Sequence, residues 1–172
     1  MRATGIAAVV IALTLCASSA QAGERRFGDW TVRVMADGEG MYALTVNDSG
    51  GQLGLICFGS TGKCLWVLSN KINCKDRSTY PVLVNADSGA ASTHVACMKL
   101  DGEPVYAFGE YDVIDRTIRQ SERIGIAAPL QSGQFAVTRF SLRGASAAIE
   151  FMHAEMNADF NDASNTTEDL RL

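Results

Sequence analysis

The stretch "LICFGSTGKCLWVL" (55–68) sets two cysteines on either side of a Gly-Ser-Thr-Gly reversal. Both flanks are apolar and the glycines punctuate them, so the segment predicts two antiparallel strands joined by a four-residue loop at 59–62. That register places Phe58 opposite Lys63 and Cys57 opposite Cys64. Cross-strand Cβ atoms lie about 4.5–5.5 Å apart. A disulfide wants them slightly closer, so a bridge here needs a small local adjustment.

Whether these thiols pin strands or do chemistry depends on the compartment. The first 22 residues, "MRATGIAAVVIALTLCASSAQA", read as a signal peptide: Arg2 supplies the positive start, Ile6 to Leu15 an apolar run, and Ala20-Gln21-Ala22 a small-x-small cleavage site. The run is half the roughly 20 residues that a spanning helix needs. Cys16 invites a lipid-attachment reading, but Leu15 stands where a small residue is wanted. Cleavage after Ala22 leaves residues 23–160 as one β-rich domain and 161–172 as a polar, acidic tail expected to be disordered. The expected location is the periplasm or the cell envelope, with no transmembrane segment.

Of the five cysteines, Cys16 leaves with the leader and Cys57, Cys64, Cys74 and Cys97 remain. An even number in an exported chain points to structural disulfides. The hairpin favours 57–64 with 74–97, and the nested alternative is 57–97 with 64–74. A metal or redox site would want closer spacing, such as C-x-x-C at a helix start. The net charge of −4, with only Arg25-Arg26 as a basic pair, excludes nucleic acid as a partner.

Along the chain, "RFGDWTVRVM", "MYALTVND", "YPVLVN", "STHVACMKL", "GEPVYAFGE", "RIGIAAP" and "QFAVTRFSL" read as further strands, with turns at a spacing typical of antiparallel sheets. Pro81 suggests an edge or a strand start. The period changes twice. "YDVIDRTIRQSER" predicts a helix near 112–120 capped by Asp112, with Asp112–Arg116 and Asp115–Arg119 as i,i+4 pairs. Ile149, Met152, Met156 and Phe160 are spaced for a second helix near 146–158. The expected fold is mainly β: a disulfide-stabilised antiparallel β-sandwich with two short helices.

Candidate chemistry is thin. The two histidines, His94 and His153, lack a G-x-S-x-G elbow that would give them a serine partner. Glu103, Glu110, Asp112 and Asp115 could act as paired acids in a small hydrolase if a cleft held two of them about 5–10 Å apart; a solvated, ion-paired helix explains them as well. Tyr106 and Tyr111, with Glu110 and Asp112, are the expected binding surface, since Trp30 and Trp66 fall on core-facing parity. No cofactor is expected, and no catalytic or metal-binding residue is assigned.

Two segments carry a resemblance. "FGDWTVRV" near the start and "FSLRGASAAIEFM" near the end are similar to the G-D-W-x-V opening and S-L-x-G-x-x-A-A close of the invasion-associated locus B family of exported bacterial proteins, and "YDVIDRTIRQSERIGIAAP" is similar in order to that family's helix and following strand. The family's cysteine after the opening strand is Val34 here, and its G-C pair before Ala-Pro is Gly125-Ile126, so its disulfides do not transfer. The resemblance implies a small β-rich envelope protein, associated in some members with entry into host cells, and no catalytic residue. The expected function is therefore a non-enzymatic binding or structural module for an envelope or host macromolecule. The alternatives are a small periplasmic hydrolase or a thiol- or metal-binding protein.

Overall fold

A computed structural model describes residues 24–69, 74–129 and 134–168. The expected leader, 1–22, lies outside them, as do 169–172 and all side chains beyond residue 158. Within the described residues ten strands form one antiparallel sheet: β1 (Arg25–Phe27), β2 (Trp30–Val34), β3 (Gly40–Val46), β4 (Gln52–Phe58), β5 (Cys64–Ser69), β6 (Thr79–Ala86), β7 (Gly89–Leu100), β8 (Glu103–Phe108), β9 (Arg123–Pro129) and β10 (Phe135–Ser141). Their order is β1-β2-β3-β4-β5-β8-β7-β6-β9-β10. Helix α1 (Tyr111–Arg119) follows β8, and α2 (Ala145–Glu168) follows β10. The expected sandwich is thus corrected to a single curled, unclosed sheet.

The hairpin that opened the sequence reading has the expected register: Cys57 pairs with Cys64 and Leu55 with Trp66. The bridges are Cys57–Cys64 and Cys74–Cys97. The opening strand differs from expectation. "RFGDWTVRVM" is not continuous; it breaks at Gly28-Asp29, and β1 folds back on β2 with Phe27 opposite Trp30. Gly28 takes φ +58°, which suits a tight hairpin turn and an unbranched backbone. Pro81 lies ahead of the part of β6 that β9 pairs, which begins at Leu83, so its missing N–H costs no bond to β9.

Alternation decides the faces. Trp30, Val32, Ala43, Leu53, Leu55, Trp66, Leu68, Val84, Val95 and Ile126 are fully or almost fully buried in one cluster. Trp30 and Trp66 meet edge to face, with ring centroids 6.0 Å apart. The helices complete the core with Ile114 and Ile118 from α1 and Ile149, Met152 and Met156 from α2. Two details of the helices are corrected. Glu110, not Asp112, occupies the N-cap of α1, and no side chain caps it; Asp112 falls in the first turn, where its charge complements the helix dipole. The second helix runs on to Glu168, ten residues past its expected end and into the segment read as a tail. No described helix is long and apolar enough to cross a membrane.

Candidate functional site

The unclosed sheet leaves a seam, where β10 comes up against β2 and β3 without pairing with them. Side chains bridge it instead. Asn47 Nδ2 donates to the Arg139 carbonyl at 3.2 Å, and Trp30 Nε1 donates to the Ser141 carbonyl at 3.3 Å. Asp29 accepts from Ser141 Oγ at 2.6 Å and from Arg143 Nη2 at 2.9 Å. These two bonds, Ser141's first, hold the Asp29 carboxyl below its ordinary pKa, and the bond to Asp29 raises the pKa of Arg143. Asn47 is itself fixed, since its Oδ1 accepts from the N–H groups of Ser49 and Gly51, an Asx turn.

Over this seam lies a cleft of about 860 Å³, walled by Thr31 and Leu44 on one side and by Asn85, Gly125 and Arg139 on the other. A smaller groove continues from it between the Asn47–Gly51 turn and Val137–Arg139. The edge backbone can be read from the register. Because the Arg139 and Ser141 carbonyls face the seam, alternation sends the N–H and C=O of Val137 and Phe135 the same way. No strand lies beyond β10 among the described residues. The side chains here are apolar and solvated, Phe135 66% and Val137 52% exposed, with Leu83 also exposed on nearby β6.

The four residues expected to form a binding surface differ in exposure. Tyr106 is only 2% exposed: β8 is an interior strand, and Tyr106 sits between Leu68 and Cys97 in register. Its ring packs edge to face on Tyr80, and burial raises its hydroxyl pKa. Tyr111 is half-buried at the start of α1; its pKa is also raised, first by burial and then by Asp115. Glu110 and Asp112 are exposed. None of Glu103, Glu110, Asp112 or Asp115 lines the cleft over the seam, and Asp115 is bonded to Arg119 at 2.8 Å. His94 faces outward on β7 as its parity predicts, whereas His153 is half-buried.

Sequence reading missed the seam. Asn47, Arg139 and Val137 carry no motif; the turn composition of "NDSGG" (47–51) is the one signal that could have marked Asn47.

No protein-family model matches the chain, and no curated protein matches it. A solved structure does: the crystal structure of invasion associated protein b from Bartonella henselae superposes with a TM-score of 0.57 at 13% identity, over 78% of this chain and 98% of that one. The resemblance carried by the opening and closing motifs therefore holds in the fold. The two disulfides are of the kind that persists in an oxidising, extracytoplasmic compartment.

Proposed function

We propose that this chain is a non-enzymatic protein of the periplasm or envelope that binds an extended segment of a partner polypeptide along its seam. The observation that carries the reading is the open half of β10. There, outward backbone groups of Phe135 and Val137 stand beside exposed apolar side chains. An extended peptide can take the edge hydrogen bonds as an added strand, with its alternate side chains resting on the apolar patch. The C-terminal half of the same edge is already occupied by Asn47 and Trp30, which limits addition to a short segment. The name of the structurally similar protein, invasion associated protein b, favours a partner on the bacterial surface or on a host cell.

The test uses a photo-crosslinker at Arg139 in cells of the native host, with Lys99, exposed on the middle strand β7, as the control position. Crosslinks to polypeptide should form at Arg139 and not at Lys99. They should vanish when Val137→Pro removes one outward N–H, a change an edge strand tolerates. Identical crosslinks in the Val137→Pro protein would end the strand-addition reading.

A further inference from the structure

We propose that Cys57–Cys64 is a thiol–disulfide exchange site for an external low-molecular-weight thiol, with Cys64 as the sulfur attacked and His153 as the proton donor to Cys57. An imidazole nitrogen of His153 and the two Sγ atoms all lie within 4.8 Å of one another. The Nε2 of His153 is buried and has no hydrogen-bond partner. A packed helix face gains nothing from such an orphaned polar atom, because burial strips its water without replacing it. Beside a sulfur that becomes a thiolate, an imidazole has a use.

Access sets the direction of attack. Cys57 is 1% exposed, while Cys64 is partly exposed at the mouth of the hairpin. The hairpin is also held without the bridge: Phe58 N–H donates to the Lys63 carbonyl at 3.0 Å and Gly62 N–H to the Phe58 carbonyl at 2.9 Å. Opening a bridge with a sequence separation of seven frees little chain, whereas the separation at Cys74–Cys97 is 23, and a longer loop constrains the unfolded chain more. The second bridge also lacks the imidazole of His94, which sits on the solvent-facing parity of β7, opposite to Cys97.

The external thiol first loses its proton to solvent. Its thiolate attacks Cys64 Sγ, the Cys57–Cys64 bond breaks, and the electron pair leaves on Cys57 Sγ. His153 in its protonated form passes a proton to that sulfur and recovers one from solvent. The products are a mixed disulfide on Cys64 and a free Cys57 thiol. A second external thiol resolves the mixed disulfide, so that two external thiols are oxidised and the bridge is reduced.

The intact folded protein, treated with reduced glutathione, quenched by alkylation and mapped by peptide mass, decides the matter. Glutathione should appear on Cys64 and the alkylating agent on Cys57, at least about tenfold faster than either label reaches Cys74 or Cys97. His153→Gln should slow the reaction at Cys64 by on the order of tenfold or more and leave the rate at Cys74–Cys97 unchanged, a selectivity that general loosening would not give. First reaction at Cys74–Cys97, an adduct on Cys57, or no reaction in the folded wild type overturns the site. An unslowed His153→Gln protein removes the imidazole from the step. If that variant does not fold, the wild-type map alone still stands or fails.

Discussion

Asp29 and Ser141 lie 112 positions apart in the chain, and their side chains share a hydrogen bond of 2.6 Å. The neighbouring contacts are of the same kind: Asp29 N–H donates to the Arg143 carbonyl at 3.0 Å, and Trp30 Nε1 donates to the Ser141 carbonyl. The Gly-Asp-Trp and Ser-Leu-Arg-Gly segments, which carry the resemblance to invasion-associated proteins, therefore meet in space. Their residue types are explained by that meeting. Aspartate and arginine form a clasp, tryptophan supplies a donor, and glycines let two backbones approach. The motif is a fastening for the fold and says nothing of a ligand.

The clasp predicts a pH dependence. The Ser141 hydroxyl and then the Arg143 guanidinium hold the Asp29 carboxyl below its ordinary value. A group whose folded pKa is depressed contributes stability above its unfolded value, about 3.9, and loses that contribution as pH falls through the folded value. Urea unfolding midpoints of wild type and Asp29→Asn should differ most near about pH 6 and converge near about pH 2. A gap that persists undiminished in acid would show that the carboxylate charge is not what fastens the seam.

Gly144 is the tightest point of that fastening. Its φ is +92°, and a Cβ there would run into the Phe27 carbonyl. Gly144→Ala therefore meets a steric clash as well as backbone strain, and should cost at least about 2 kcal/mol. Gly38, at φ +75° with nothing near its missing Cβ, should lose less on the same change, about 1 kcal/mol, from strain alone. Chemical denaturation of both variants checks the order.

Local chemistry was legible and long-range closure was not. The register of Cys57 on Cys64 followed from one loop, and Ile149, Met152 and Met156, set at helical spacing in the sequence, are buried. The burial of Tyr106 was not legible, because it depends on β8 lying between β5 and β7, an order that no local pattern encodes. For the same reason the sheet was read as a sandwich: alternation gives the buried face of each strand but not which strand is its neighbour. The cleft arises where β10 fails to pair with β3, so it too exists only once the order is known.

Asn47 makes a prediction that separates the turn from the seam. Its Oδ1 holds the Asx turn, and its Nδ2 holds the Arg139 carbonyl. Asn47→Asp keeps the acceptor and loses the donor; Asn47→Ala loses both. Stability should fall by about 1 kcal/mol in the aspartate variant and by about 2 kcal/mol in the alanine variant. Hydrogen exchange at Ser49 and Gly51 should quicken only in the alanine variant. Equal exchange in both would mean that the turn does not depend on the Asn47 oxygen.

The two tryptophans pack against each other in the core, yet they should respond differently to the same substitution. Trp30 Nε1 donates across the seam to Ser141, while Trp66 Nε1 is buried with no partner. Each Trp→Phe change removes comparable ring volume, so the cavity cost is similar at the two sites, about 1–3 kcal/mol. Trp30→Phe additionally strips a donor from a carbonyl at the seam, whereas Trp66→Phe removes a donor that was never satisfied. Trp30→Phe should therefore be the more destabilising by about 1–2 kcal/mol in urea unfolding. If Trp66→Phe proved the costlier of the two, the Trp30–Ser141 bond would contribute nothing net, and the seam would be held by Asp29 and Asn47 alone.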